Sequence, residues 1–173
     1  MNAIRPTRAA DLIVIQEIEF AAGELFRDVG MPDIADHPVP TIEALTEFVR
    51  AGRSWVFAGD EDIPVAFILV MPVDGLAHIE QVSVHPAYAH RGIGRRLIDH
   101  VDAWAAGRGL RALTLTTFRG VPWNGPYYER IGFATLDPGE RGPELVRLMA
   151  EEARHGLDPA QRIAMRRDIV TRR

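Results

Sequence analysis

Residues 85–98 read HPAYAHRGIGRRLI. Gly92 and Gly94 stand just before an amphipathic apolar pattern, and Arg91, Arg95 and Arg96 surround them. The first N–H groups of a helix have no partner inside it, and the helix dipole makes that end favourable for anions. Glycine lets ligand oxygens approach the main chain, and arginine adds charge-assisted contacts. This spacing suits a phosphate or pyrophosphate.

Two common nucleotide readings fail on the residues. The dinucleotide fingerprint asks for a third glycine near position 97, where Leu97 stands, and it normally opens a βαβ unit. Here the turn follows several strands that look hairpin-linked. The triphosphate loop GxxxxGK[ST] is absent. All twenty basic residues are arginine, so no lysine can serve a P-loop or form a Schiff base. There is no cysteine, which excludes disulfides, thiolate metal sites and cysteine nucleophiles. His78, His85 and His90 match no common zinc spacing, and no HExxH occurs, so no metal is expected.

Around these residues, 173 residues with 47% hydrophobic and 25% charged side chains suggest one domain, 1–173, with a sizeable core. The net charge of −4 argues against a general nucleic-acid binder. No apolar run approaches the ~20 residues of a membrane span. The N-terminus MNAIRPTRAADL has no apolar signal region. No nucleic acid or membrane partner is expected, and a cytoplasmic location is.

Pattern then supplies the elements. Ala3–Arg5 reads as a short strand. Thr7 with Asp11 suggests a helix N-terminus, and Leu12, Ile15 and Ile18 carry that helix to about Phe26. Residues 30–40 read as a loop, and Thr41 opens a second helix to Arg50. SWVFAGD, IPVAFILVMPV and LAHIEQVSVHP read as strands, the last two joined at Asp74-Gly75. The helix from Gly92 shows an apolar face of Ile93, Leu97, Ile98, Val101 and Trp104. RALTLTTF is a strand, and WNGPYYERIGF is a short helix entering another strand at Phe133. Residues 143–156 hold a further helix, and QRIAMRRDIV closes the chain as a strand. The order β-αα-βββ-α-β-α-β-α-β predicts an α/β (α+β) fold with a mixed central sheet of about seven strands.

Residues 82–98, VSVHPAYAHRGIGRRLI, resemble the acyl-CoA-binding segment of the GNAT N-acetyltransferase superfamily. Its pattern Arg/Gln-x-x-Gly-x-Gly/Ala falls on Ala89–Gly94, with Ala89 at the position usually Arg or Gln. YYERIGF, residues 127–133, resembles the late Tyr-x-x-x-Gly-Phe element. TTFRGVPWNGPYYERIGF is similar to a bacterial subgroup of mostly unassigned substrate. The resemblance covers most of the chain and implies the GNAT-type acyl-CoA N-acyltransferase fold.

It also implies a site. Residues 77–84 and 111–117 would splay around the pantetheine, with main-chain groups of Val82 and Val84 bonding it as an added strand would. The amides of His90, Arg91, Gly92, Ile93, Gly94 and Arg95 would hold the pyrophosphate, and Asn124 and Tyr127 would lie near the CoA. Tyr128 matches the family tyrosine and becomes the candidate acid for the leaving thiolate, with its neighbour Tyr127 as the fallback. Glu80 becomes the candidate base, with His78 on the same strand face as the other choice where no bulge intervenes. Asn124 before Gly125-Pro126 also reads as a helix cap. The acceptor side would involve the first two helices, with Glu19, Glu24, Asp28, Asp33 and Asp36 beside Phe20 and Phe26.

The implied activity is N-acetyl transfer from acetyl-CoA, as co-substrate, to a primary amine by direct attack in a ternary complex. A small-molecule or peptide amine is the implied partner, and family members are often homodimers. A sensor that binds acyl-CoA without turnover is the alternative.

Overall fold

The computed structural model describes residues 3–170. The ends of the expected 1–173 domain lie outside them. Seven strands form one mixed sheet in the order β1-β2-β3-β4-β5-β7-β6, flanked by helices. The strands are β1 (Ala3–Pro6), β2 (Ser54–Ala58), β3 (Pro64–Val73), β4 (Leu76–Val84), β5 (Ala112–Phe118), β6 (Ala134–Thr135) and β7 (Arg162–Asp168). The helices are α1 (Leu12–Glu24), α2 (Pro32–Ala35), α3 (Ile42–Arg50), α4 (Ile93–Ala106), α5 (Gly125–Arg130) and α6 (Pro143–Arg154). The fold class expected from element order is therefore present, with one correction: residues 30–40 are not all loop, because Pro32 opens the one-turn helix α2 there, its fixed φ suiting a helix start. The chain forms two compact units, with β3, β4 and α4 each contributing to both.

The first unit runs to Val70 and takes up Gln81–Val101. β1 and β2 are antiparallel, as are β2 and β3. Leu12, Ile15 and Ile18 recur at helical spacing on α1 and pack with Leu45, Val56, Phe67 and Leu69. β3 is buried from Pro64 through Val70, which accounts for its unbroken apolar run. The Thr41 hydroxyl accepts from the Ala44 amide at 3.1 Å and caps α3, a contact worth about 1 kcal/mol. Thr7 does not cap α1. Its hydroxyl bonds Ser54 Oγ at 2.6 Å, and Asp11 instead ties Arg5 (2.8 Å) and the Arg8 amide (2.7 Å) ahead of the helix.

The second unit comprises Met71–Glu80 and the chain from Asp102 onward. β5 and β7 pair antiparallel along their whole length, from Ala112–Asp168 to Phe118–Arg162. β4 and β5 pair in parallel over Ala77–Ile79 and Leu113–Leu115, and both strands run on beyond that ladder. Asp74 (φ 51°) and Gly75 (φ 71°) make the tight β3–β4 turn that Asp-Gly favours. The Asp74 carboxylate then accepts from the Glu144 and Leu145 amides at 2.9 and 3.0 Å, which fixes the start of α6. Leu145, Leu148 and Met149 of α6 pack onto Val73 and Ala164. On α4 the last buried position is Ala105, not Trp104, whose ring lies under the Arg108 guanidinium at 4.3 Å.

Candidate active site

In the first unit, the main chain leaves β4 at Val84 and turns through residues 85–92 into α4. His90 (φ 61°) and Gly92 (φ 71°) hold left-handed conformations there. A Cβ on Gly92 would meet nothing within 4 Å, so glycine answers to its backbone angle rather than to crowding. The first helical bond of α4 runs from the Arg96 amide to the Gly92 carbonyl at 3.1 Å. The amides ahead of Arg96 are thus outside the helical ladder. The three arginines differ. Arg91 lies over the Tyr88 ring at 5.1 Å, and Arg95 pairs with Asp99 at 3.6 Å, both on the surface. Arg96 is exposed as well, and its guanidinium lies over the Phe57 ring at 4.7 Å.

Gln81 and Ser83 alternate with Val82 and Val84 on β4, and both turn toward α1. Ser83 Oγ donates to the Glu19 carboxylate at 2.6 Å and Gln81 Nε2 donates at 3.2 Å. Burial raises the Glu19 pKa, and these two bonds oppose the rise. Of the acids expected on the acceptor side, Glu24 (3.0 Å) and Asp36 are both paired with Arg27.

The second unit holds Glu80, Asn124, Tyr127 and Tyr128. The β5–β7 ladder places Thr114, Thr116 and Arg162 on one face, and His78 faces Thr114 across the β4–β5 ladder. His78 is 1% exposed, with Nδ1 2.9 Å from Thr114 Oγ1. Burial drives its pKa down to about 4, helped by Arg162 and opposed by Asp74, so it is neutral at neutral pH. Glu80 follows two residues on. It is exposed, yet enough protein crowds its carboxyl for lost hydration to raise its pKa. Glu152 adds to that rise, and Arg162 opposes it.

α6 reaches back to this face through Glu152. Its Oε1 accepts from Thr116 Oγ1 at 2.5 Å and from Arg162 at 3.2 Å, and Arg162 also bonds Thr116 at 3.0 Å. The Arg162 guanidinium lies 4.7 Å over the Phe118 ring.

Tyr128 sits on α5 with its ring buried, edge-on to Phe133 at 5.7 Å and to Tyr127 at 5.3 Å. Burial holds its phenol well above the ordinary range. Tyr127 adds to this, and Arg162 opposes it. Gly125 makes this placement achievable, because a Cβ there would stand 2.8 Å from the Arg119 carbonyl and 3.1 Å from that of Phe118. Asn124 occupies the helix-cap position, but its side chain makes no capping bond. Pro126 removes one of the amides a cap would bind, and the Tyr128 amide bonds the Asn124 main-chain carbonyl at 3.0 Å.

Residues 19–133 match the family model described as the acetyltransferase (GNAT) family. The chain belongs to the GNAT acetyltransferase family. Solved structures of this fold agree over nearly the full length of the GNAT chain. A PaiA N-acetyltransferase from Thermoplasma acidophilum, in complex with coenzyme A, aligns at TM-score 0.70 and 15% identity, over 97% of this chain and 99% of that one. The ribosomal-protein-S18-alanine N-acetyltransferase from Escherichia coli aligns at 0.67 and 18%, over 100% and 97%. N-acetylglutamate synthase from Neisseria gonorrhoeae, with coenzyme A and N-acetyl-glutamate, aligns at 0.72 and 17%, over 98% of this chain and 35% of that one. At these identities the likeness is one of fold.

Within the GNAT chain, Val82, Val84 and His90–Arg95 belong to the first unit and Glu80, Asn124, Tyr127 and Tyr128 to the second. Glu80, His78 and Tyr128 all feel the charge of Arg162. Sequence reading did not single out Arg162, Glu152 or Thr116. No motif marks them, and only the β5–β7 ladder and the docking of α6 bring them together. Among the described residues no helix is long and apolar enough to cross a membrane, and no group of three His, Asp or Glu side chains is placed to hold a metal ion.

Proposed function

We propose that this GNAT chain transfers an acetyl group from acetyl-CoA to a primary amine by direct attack in a ternary complex. The observation that carries the reading is the turn into α4, where left-handed Gly92 leaves the amides ahead of Arg96 outside the helical ladder, in a chain whose residues 19–133 match the acetyltransferase (GNAT) family model. One guanidinium, Arg162, influences the Glu80 carboxyl, held above its ordinary pKa, and the Tyr128 phenol, held well above its own. The first is a better proton acceptor than an ordinary carboxylate. The second keeps its proton throughout the working pH range and can donate it only toward strongly developing negative charge.

The amides of His90–Arg95, with the Gly92 and Gly94 turn, hold the CoA pyrophosphate. Arg91 and Arg95 supply surface charge, and Arg96, engaged on Phe57, is a lesser contributor. Main-chain groups of Val82 and Val84 pair with the pantetheine. The extension of β4 past its ladder with β5 supports this role. Asn124 and Tyr127 line the CoA side of Tyr128.

The acceptor arrives as an ammonium. Glu80 takes one proton, and the freed lone pair attacks the thioester carbon. The Val84 amide donates to the oxyanion. The C–N bond forms and the C–S bond breaks. Of the two protons the nitrogen loses overall, one ends on the CoA sulfur and one goes to solvent. Tyr128 donates to the leaving thiolate and recovers its proton from the tetrahedral nitrogen.

Calorimetric titration tests this first. Acetyl-CoA and free CoA should bind at micromolar concentration, with ATP much weaker. Tyr128→Phe should keep CoA affinity while lowering kcat by roughly 10²-fold on the best amine of a panel. Retained CoA binding with no turnover in the wild type would favour an acyl-CoA sensor. Absence of CoA binding would remove the transferase reading altogether.

A further inference from the structure

The second unit holds a cavity of about 320 Å³, at the lower end of the size range of small-molecule sites. It shares no residue with the candidate CoA and catalytic set. Leu76 at the start of β4, Thr114 on β5 and Arg166 on β7 line it from the sheet. Leu136 and Leu145 line it from the segment that leads from β6 into α6. The β5–β7 ladder sets Thr114 opposite Arg166, and Arg111, which also lines the cavity, stands one residue ahead of β5.

The polar groups of this cavity are unequally committed. The two Asp74 oxygens accept the Glu144 and Leu145 amides at 2.9 and 3.0 Å, so that charge already faces the N-terminus of α6. Glu140 Oε2 accepts the Asp137 amide at 2.7 Å, and the Thr114 hydroxyl is bonded to His78 Nδ1 at 2.9 Å. The arginines have donors to spare. Arg111 is exposed at the cavity, and its side chain makes no hydrogen bond or ion pair among the described residues. Arg166 binds Asp168 through Nε at 2.7 Å, a surface pair of little strength, and its terminal nitrogens have no partner among the described residues. A guanidinium offers five N–H donors in a fork that matches a carboxylate. The other wall is apolar: Val73 and Leu145 are buried, and Leu76 and Leu136 half-buried. An amine would meet two guanidiniums and acids already holding main-chain amides. A bare phosphate would leave the apolar wall in water.

We propose that this cavity is a binding site for a small organic carboxylate with an apolar body. Arg111 and Arg166 receive the carboxylate, and the body lies against Val73, Leu76, Leu136 and Leu145. The site is separate from acetyl transfer and does not rest on that reading. An occupant nevertheless packs against the strand pair that carries Glu80, because Thr114 both lines the cavity and holds His78, two residues before Glu80.

The test is amide-resolved NMR titration of the full chain. The probe is phenylacetate, set against phenylacetamide and 2-phenylethylamine, which keep the body and change the charge, and against inorganic phosphate, which lacks the body. Phenylacetate should bind saturably at millimolar concentration or below, with shifts centred on Leu76, Arg111, Leu136 and Arg166. The other three should each bind roughly tenfold more weakly or worse. Arg111→Gln should weaken phenylacetate by about tenfold or more at an unchanged melting temperature, since Arg111 holds no partner in the fold, and Arg166→Gln should weaken it too. Several outcomes would each overturn the inference: no saturable shift, the amide, the amine or phosphate binding as tightly, unchanged affinity in Arg111→Gln, or shifts centred on residues 90–95 and reversed by CoA. Failure of the acetyltransferase reading is distinguishable, because it is read from CoA binding and turnover, neither of which enters the phenylacetate affinity.

Discussion

His78 and Glu80 lie two residues apart on one strand, yet burial pushes them in opposite senses. A lost hydration shell disfavours the charged form, which is the acid form of His78 and the base form of Glu80. His78 therefore has a consequence for stability. Its folded pKa of about 4 lies below the ordinary 6.5, so between those values the unfolded chain binds the extra proton. Folding stability is fully present above pH 6.5 and declines as pH falls toward 4, by about 3 kcal/mol from this group. Urea unfolding between pH 4 and 7 should show that slope in the wild type, and His78→Asn should flatten it. A variant with the same slope would mean other groups dominate. Glu80 and Tyr128 were legible as candidates because they fall in a recognisable pattern. Arg162 was not, since one arginine among three in QRIAMRRDIV carries no local signal of the ring and carboxylates it meets.

At the scale of elements, residues 119–128 set where Tyr128 sits. The chain leaves β5 at Phe118 and doubles back into α5 over the last carbonyls of the strand. That approach needs a residue without Cβ at Gly125. Gly125→Ala puts a carbon 2.8 Å from a main-chain oxygen that cannot move without the strand end. The expected cost is about 1–3 kcal/mol, read from chemical denaturation. Cooperative unfolding at an unchanged midpoint would show that the loop yields. The N-cap expected at Asn124 fails for a reason the dipeptide conceals: proline at Pro126 favours a helix start but removes an amide the cap would bind. The β3–β4 turn was more predictable, because Asp-Gly between two apolar runs selects its own backbone angles. The second role of Asp74, holding the first amides of α6, joins residues 70 apart and leaves no mark in either segment.

For the molecule as a whole, a net charge of −4 coexists with arginines placed one by one beside acids and rings. On the proposed reading, a tetra-anionic cofactor such as CoA would depend on the local cluster at Arg91–Arg95 and on main-chain amides, rather than on net attraction. Binding to the native state alone stabilises it by mass action. At a hundredfold excess over its dissociation constant, CoA should add about 2.7 kcal/mol, or roughly 5–10 °C of melting temperature for a chain this long. Acetyl-CoA should match it, and ATP at the same concentration should give much less. An equal shift with ATP would mean that the loop reads phosphates and not the pantetheine.

The sequence by itself determined the element order apart from α2, together with the glycine turn at the start of α4, the tight Asp74-Gly75 turn and the family to which the chain belongs. Each of these is encoded by neighbours in the chain: periodicity, turn chemistry and a contiguous motif. Only the tertiary structure decided that Trp104 yields the buried position to Ala105, that Thr7 binds Ser54, and that Arg162, Thr116 and Glu152 gather on the face that carries Glu80. These follow from strand pairing and helix docking between distant segments. A side chain's burial, charge state and partners are properties of the packed neighbourhood, and no local stretch of sequence contains them.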